Sequence, residues 1–324
     1  MLLNLLLLIV GFVALVKGAD YFVDGAATLA KVFRVPSLII GLTIVALGTS
    51  APELAVSTTA ALAGSNEIAI SNVVGSNMFN LLVVLGACAL FCTVPGSKDI
   101  IKRDFPFSII VTVLVLIFSF SSTVLEGGLF SHSMADQAGL IGRIEAIILI
   151  VLFVGYILVL IKSAKENKTE ESEDKLMPVW KCFLFIVLGL VAIVGGGQAV
   201  VYSAKEIARA LGMTETLIGL TVVAFGTSLP ELVTSVIAAR KKETGLAVGN
   251  VIGSNIFNLM LILGVSSAVH PVAVNFASFF DLIVLIFMSV VTYLFLISKK
   301  ELNRPEGIVM ILIYLAQVAF AIVR

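Results

Sequence analysis

The chain has 324 residues, of which 59% are hydrophobic and 13% are charged, and its formal net charge at pH 7 is zero. Its mean hydropathy of +1.13 excludes an ordinary soluble domain, because a chain of this length could not bury so much apolar surface. The zero net charge excludes the basic surface that nucleic acid requires, so we expect a membrane protein without a nucleic-acid partner.

Apolar stretches along the chain predict ten membrane-spanning helices. These spans cover residues 2–30, 38–62, 67–91, 105–125, 142–163, 179–209, 215–239, 244–269, 275–298 and 306–323. The first is interpreted as a retained span, since neither a basic leader nor a small-residue cleavage site accompanies it. The first and sixth spans are the longest, which predicts tilted helices. The fold class is therefore an all-α polytopic membrane protein.

Residues 41–90 and 219–268 are two copies of one sequence, with a constant offset of 178 and 25 identities in 50 positions. The chain accordingly divides into two five-helix halves, residues 1–163 and 179–324, joined by a short hydrophilic linker at 164–178. Because five is an odd number, the second half must cross the membrane with the opposite polarity. This inverted-topology repeat is typical of secondary transporters, which bind their substrates near the bilayer midplane.

Basic residues predict how the chain is oriented in the cell membrane. If the N-terminus is outside, 16 of the 21 lysine and arginine residues fall in inner loops and only four on the outer side. The uncharged loop at 63–66 has as its counterpart in the second repeat the basic run Arg240, Lys241 and Lys242, as opposite polarity requires. We therefore expect both termini on the extracellular or periplasmic side and the central linker in the cytoplasm.

One glutamate in each repeat, Glu53 and Glu231, lies near the middle of a predicted span. An ionisable group at that depth costs at least about 2.5 kcal/mol by insertion scales, so its default interpretation is functional. The alternative is a protonated carboxyl that only makes a packing hydrogen bond. Pro52 and Pro230 directly precede the glutamates and predict a break in each helix, which is tolerated inside protein or along a wet cavity.

Further polar residues recur at helical spacing around each glutamate. The first repeat has Ser50, Glu53 and Ser57 on one helix face and Asn72, Ser76 and Asn80 on the next; the second has Ser228, Glu231 and Ser235, then Asn250, Ser254 and Asn258. These serines and asparagines could instead be interhelical packing contacts. Gathered together, the oxygen donors suit Ca²⁺ or Na⁺ better than zinc or copper, and two carboxylates neutralise one divalent cation.

The two GTS-x-PE segments, followed by GSNMFN and GSNIFN, resemble the α-repeats of sodium/calcium exchangers in the Ca²⁺/cation antiporter superfamily. The resemblance covers both repeats closely and all ten spans in outline. It implies ten helices, in which two long helices slide across four broken ones to give alternating access. It also implies Ca²⁺ as a transported ion, supports Na⁺ as the coupling ion less strongly, and implies no cofactor, no enzymatic activity and no protein partner. The oligomeric state is not defined, although one chain could act as a monomer.

The resemblance implies a ligand for each matching position of this chain. Glu53 and Glu231 match the central carboxylates, and Asn80 and Asn258 the middle position, where many relatives have aspartate in the second repeat. Hydroxyl ligands are implied at Ser50, Ser76, Ser228 and Ser254, calcium-binding carbonyls at Thr49 and Thr227, and outlying sodium-binding carbonyls at Ala46 and Ala224. With asparagine in both repeats, the predicted site has a maximum charge of −2.

Three alternative functions stay open at this point. A Ca²⁺/H⁺ antiporter would need the same paired carboxylates but fewer neutral ligands than Na⁺ would. A passive cation channel usually builds its pore by oligomeric symmetry, whereas one chain here carries both halves. An intramembrane enzyme could use paired carboxylates, but the sequence contains no accompanying nucleophile or metal motif. The sequence does not define the coupling ion, the stoichiometry or the direction of transport.

Overall fold

The computed structural model describes residues 1–120, 133–134, 136–168, 176–213 and 224–323. The end of the predicted fourth span, the middle of the linker and the start of the repeated segment 219–268 lie outside these described residues. Within the described ranges the chain is predominantly helical. In chain order the helices are α1 (Leu2–Phe33), α2 (Ser37–Thr49), α3 (Ala51–Leu62), α4 (Asn66–Phe79), α5 (Leu85–Phe91), α6 (Phe105–Phe118), α7 (Arg143–Glu166), α8 (Val179–Ala210), α9 (Ala224–Thr227), α10 (Leu229–Arg240), α11 (Thr244–Ile256), α12 (Leu263–Val269), α13 (Phe276–Lys299) and α14 (Arg304–Val323).

Each of the ten predicted spans contains helical residues. Among the described residues, seven helices are long and apolar enough to cross a membrane, or eight if the bent pair α2–α3 forms one span. The other two predicted spans, 105–125 and 215–239, extend into residues outside the described ranges. The structure therefore agrees with a multi-pass membrane protein, while the count of ten crossings stays a prediction.

The first and sixth spans are, as predicted, the two long helices of the fold. Both α1 and α8 contain 32 residues, and they run antiparallel along a line of small residues. A Cβ atom at Gly18 would lie 2.8 Å from the Gly189 carbonyl oxygen, and one at Gly11 would lie 3.0 Å from that of Gly196. Only glycine at these positions allows the two backbones to pack so closely. The α1–α8 pair is consequently a tight, backbone-to-backbone contact.

The repeated segments form the centre of the molecule. In the most apolar windows of α11–α12 and α4–α5, 94% and 78% of residues are buried, against 33% or fewer in the five other long helices. Each of these central helices contains a π-helical stretch, at Asn80–Val84 and at Phe257–Ile262. Such wider turns inside an α-helix are frequent at functional sites, because they redirect one side chain out of the helical register.

The helix breaks predicted at the two prolines are present in equivalent positions. Helices α2 and α3 bend by 49° at Ser50, which has φ −83° and ψ 6°. Ser228, between α9 and α10, has nearly the same backbone angles, φ −93° and ψ 7°. Pro52 and Pro230 follow in the first turn of the next helix, where the missing N–H costs nothing. Both breaks place the following glutamate at the start of a new helix.

Short strands connect peripheral loops of the two halves. Strand β1 (Val94–Pro95) pairs with β4 (Glu301–Leu302), and β2 (Gln137–Ile141) pairs with β3 (Val272–Asn275), both antiparallel. These pairs join loops from the two halves of the chain, and the helical periodicity did not predict them.

At the end of α10, Lys241 contacts Asp20 and Asp24 of α1. Partial burial lowers the pKa of Lys241, but the hydrogen bonds to the two aspartates outweigh it and raise the pKa overall. This contact ties the loop after α10 to the long helix α1.

Candidate cation-binding site

The two predicted carboxylates are fully buried, and each one is hydrogen-bonded to a serine of the opposite repeat. Glu53 and Glu231 both have no solvent exposure. The Ser50 hydroxyl, in the first repeat, donates a hydrogen bond of 2.9 Å to Glu231 Oε1. The Ser228 hydroxyl, in the second repeat, donates one of 3.0 Å to Glu53 Oε1. These two reciprocal bonds bring both helix breaks and both glutamates into one buried cluster.

The positions of these serines exclude a purely local role for their hydroxyls. Ser50 and Ser228 are the N-cap residues of α3 and α10, where a serine side chain usually accepts a bond from the helix backbone. Neither makes such a capping bond. Each hydroxyl instead extends to the carboxylate of the other repeat. The serines therefore join the two halves of the site.

Ser76 and Ser254 follow the glutamates on the neighbouring helices, and both are buried. Ser76 Oγ lies 3.5 Å from Glu53 Oε1 and 3.1 Å from Ser228 Oγ, so it belongs to the same cluster. Ser254 Oγ makes no regular hydrogen bond to any described group. The first-repeat serine thus hydrogen-bonds within the cluster, while its counterpart has only a weaker contact with the Glu231 carboxylate.

Asn72 and Asn250 brace the helices that carry the glutamates. Asn250 Nδ2 donates to Ser235 Oγ at 2.9 Å and to the Glu231 carbonyl oxygen at 3.5 Å. Asn72 makes the equivalent bonds, to Ser57 Oγ at 2.9 Å and to the Glu53 carbonyl oxygen at 3.3 Å. The packing interpretation fits their amide nitrogens. Asn250 makes one more bond, because its Oδ1 accepts a 2.9 Å hydrogen bond from the Thr49 hydroxyl of the other repeat.

Asn80 and Asn258 lie one helical turn beyond Ser76 and Ser254, at the two π-helical stretches, and both are fully buried. Asn258 Nδ2 donates to Asn77 Oδ1 at 2.9 Å, which leaves Asn258 Oδ1 without a donor among the described groups. Asn80 has no described partner for either amide atom. A buried amide without partners is costly, so both side chains are candidates for ligand contact.

The structure describes the four residues predicted to contribute carbonyl ligands in unequal detail. Thr49 and Ala46 are buried in α2, and the Thr49 hydroxyl bonds Asn250. The Thr227 hydroxyl has no partner among the residues that the structure describes. Ala224 begins α9, but the placement of its side chain lies outside the description. The structure therefore gathers the glutamates and three of the four serines by direct bonds, and does not test the carbonyl ligands.

Most buried atoms of this cluster that lack a regular hydrogen bond are oxygens, and the amide nitrogen of Asn80 is the exception. Described atoms that are buried and unpaired include Glu53 Oε2, Glu231 Oε2, Asn80 Oδ1, Asn258 Oδ1 and Ser254 Oγ. All are hard oxygen donors, and buried oxygens of this kind fit a dehydrated Ca²⁺ or Na⁺ ion. No group of three or more histidine, cysteine or acidic side chains that could hold a metal occurs among the described residues. The site would thus rely on two carboxylates and neutral oxygens.

Comparisons with known proteins give a consistent result. A family model described as sodium/calcium exchanger protein matches residues 3–162 and 181–323. The chain is 37% identical to the sodium/calcium exchanger MaX1 of Methanosarcina acetivorans, and also 37% identical to the putative antiporter CaxA of Alkalimonas amylolytica. Each alignment covers 97% of both chains. Among solved structures, the sodium-calcium exchanger NCX_Mj soaked with Na⁺ and Ca²⁺ superposes with a TM-score of 0.82 at 29% identity, over 98% of both chains.

Proposed function

Since this chain belongs to the sodium/calcium exchanger family, we propose that it exchanges Ca²⁺ for Na⁺ across the cell membrane by alternating access. Family membership already makes it a multi-pass cation antiporter and gives it no catalytic activity. The proposal adds the coupling ion, the binding site and the way the two halves work together.

The observation that carries the proposal is the pair of serine–glutamate bonds between the repeats. Each carboxylate has one oxygen fixed by a serine of the opposite repeat and one buried oxygen without a partner among the described groups. A cation between Glu53 and Glu231 would contact the two free oxygens at once. Because the site lies between the helix breaks of both repeats, sliding of the long helices α1 and α8 across the broken helices would open it to either side in turn.

Charge balance constrains which ions can be exchanged. Two carboxylates carry −2, so one Ca²⁺ leaves the site neutral. Three Na⁺ would leave it at +1 and make the exchange electrogenic, whereas two Na⁺ or two H⁺ would keep it neutral. We favour Na⁺ because Ser50, Ser76, Ser228 and Ser254 offer neutral hydroxyl oxygens that protons would not need. The ligand set is proposed as Glu53, Glu231, Asn80, Asn258 and the four serines, with carbonyls of Ala46, Thr49, Ala224 and Thr227.

The arrangement in the membrane forms part of the same proposal. We infer two inverted five-helix halves, at 1–163 and 179–324, with the binding site near the midplane and both termini outside. The antiparallel packing of the equivalent helices α1 and α8 supports opposite polarity, because Gly11 and Gly18 of α1 lie against Gly196 and Gly189 of α8. One chain supplies both halves of the site, so a monomer suffices for transport.

The experiment is ⁴⁵Ca²⁺ uptake into proteoliposomes that contain the purified protein, with an imposed gradient of Na⁺ or of pH. We expect outward Na⁺ gradients to drive uptake and pH gradients alone to have little effect. Uptake that follows the pH gradient and ignores Na⁺ would instead identify a Ca²⁺/H⁺ antiporter. Passive flux that neither gradient drives, and that does not saturate with Ca²⁺, would indicate a channel.

A further inference from the structure

A second cluster of buried asparagines lies beside the proposed ligands and belongs to neither the glutamate pair nor its serines. Asn77 and Asn255 occupy equivalent positions in the two repeats, directly after Ser76 and Ser254. Asn77 Nδ2 donates to the Asn255 carbonyl oxygen at 3.2 Å, and Asn255 Nδ2 donates to the Asn77 carbonyl oxygen at 3.3 Å. This reciprocal pair links α4 to α11.

The reciprocal pair determines which way the Asn77 amide points. A carbonyl oxygen can only accept, so the group that Asn77 directs at Asn255 must be its NH₂. Its Oδ1 is then left for Asn258, which donates its own Nδ2 over 2.9 Å. Asn258 therefore has its nitrogen committed to Asn77, and Oδ1 is the amide atom that stays free.

We propose that Asn77 is a positioning residue that fixes the Asn258 amide so that its oxygen, and not its NH₂, is presented to the transported cation. The inference rests on the proposed function, because it concerns the cation that Asn258 would bind. An amide has one end that can bind a cation and one that repels it. A reversed Asn258 would therefore place a partial positive charge at the site.

The other repeat lacks the corresponding contact in this structure. By the repeat relation, Asn255 Oδ1 should accept from Asn80 Nδ2. Both atoms are buried, and neither has a partner among the groups that the structure describes. The orientation of Asn80 is therefore not held in the way that Asn258 is held. Asn255 consequently offers a control residue that makes the equivalent backbone bond but, among the described contacts, has no side-chain hydrogen bond to Asn258.

The test is a double-mutant cycle between Asn77→Ala and Asn258→Asp, measured as equilibrium binding of ⁴⁵Ca²⁺ to the purified protein. In the wild-type background, Asn77→Ala should weaken the apparent Ca²⁺ affinity on the order of tenfold, as expected for loss of one buried hydrogen bond. A carboxylate has two equivalent oxygens and needs no orientation. It also cannot donate to Asn77 Oδ1. In the Asn258→Asp background, Asn77→Ala should therefore leave the affinity unchanged or improve it.

The control is Asn255→Ala in both backgrounds. It removes a backbone hydrogen bond of nearly equal length, so its effect on affinity should be the same with asparagine or aspartate at 258. An equal fold-change for Asn77→Ala in both backgrounds would overturn the inference and leave Asn77 as a packing residue. If Asn77→Ala is poorly folded, Asn77→Ser serves instead, because its shorter side chain cannot bridge to Asn258.

The wild-type measurement separates this inference from the proposed function. Wild-type protein that binds no Ca²⁺ would contradict the proposed function, and the positioning role with it. If wild-type protein binds Ca²⁺ and the effects of Asn77→Ala and Asn258→Asp on affinity are additive, only the positioning role would be contradicted.

Discussion

Replacement of Ser50 by alanine tests whether the two repeats share one cation site. The Ser50 hydroxyl donates to Glu231 Oε1 at 2.9 Å, and both residues are buried. A hydrogen bond to a charged group contributes roughly 1.5–3 kcal/mol. With about 1.4 kcal/mol for each factor of ten, we expect Ser50→Ala to weaken apparent Ca²⁺ affinity roughly 10- to 150-fold.

The same substitution leaves the capping of α3 unchanged, so any loss of thermal stability reports the lost bond to Glu231 and not a lost helix cap. Ser50 is the N-cap of α3 but makes no side-chain capping bond, so the usual cost of losing a cap, roughly 0.5–2 kcal/mol, should not appear. The assay is the Ca²⁺ dependence of ⁴⁵Ca²⁺ uptake into proteoliposomes. Thermal stability in detergent is measured alongside it.

Ser57→Ala is the matched control, on the same helix and also buried. Ser57 Oγ accepts from Asn72 at 2.9 Å and does not hydrogen-bond either carboxylate. We expect Ser57→Ala to lower thermal stability and to leave the apparent Ca²⁺ affinity within about threefold of wild type. Wild-type affinity in Ser50→Ala, or equal losses of affinity in the two variants, would refute the shared site.

Two further predictions concern the membrane arrangement and the long helix pair. A single cysteine at 240–243 should react with an impermeant maleimide only from the cytoplasm, and one at 63–66 only from outside; the reverse pattern would contradict the inverted repeat. Gly18→Leu should lower the free energy of unfolding by about 1–3 kcal/mol, because its Cβ would lie 2.8 Å from the Gly189 carbonyl oxygen. The exposed Gly195 of α8 is the control, and Gly195→Leu with an equal loss in thermal stability would count against close α1–α8 packing.

Much of the candidate site could be predicted because the chain contains it twice. Repetition of Glu53 and Glu231 inside apolar stretches, each after a proline, predicted burial and a helix break, and both features are present. The residue spacing also predicted that Ser50 shares a helix face with Glu53, and that Ser76 shares one with Asn72 and Asn80 on the next helix. A pattern that recurs at a fixed offset therefore identifies candidate site residues even in one sequence.

Contacts between the halves could not be predicted in the same way. Helical periodicity describes the face of one helix and does not identify the residue opposite it. That Ser50 reaches Glu231 and not Glu53 depends on how the repeats pack. Asn77 and Asn255 are also repeated, so the signal was present in the sequence. Their role becomes visible only with the reciprocal backbone bonds across α4 and α11.

The ion pair of Lys241 with Asp20 and Asp24 has a different origin. The equivalents of these residues in the other half are not charged, so the repeat gives no indication of the contact. The same holds for the small strand pairs, which form between loops distant in sequence. Such asymmetric contacts depend on tertiary packing and cannot be derived from a repeated pattern.

Calcium transport by the variants Glu53→Gln and Glu231→Gln tests the central claim most directly. Glutamine keeps the size of the side chain and an oxygen that can accept from Ser228 or Ser50, but replaces the charged carboxylate by a neutral amide. Each substitution removes half of the charge that balances a desolvated Ca²⁺ ion. We predict that each variant elutes as a folded protein and that Na⁺-driven ⁴⁵Ca²⁺ uptake is abolished in both. Uptake near the wild-type rate in either folded variant would contradict a calcium site formed by the two glutamates.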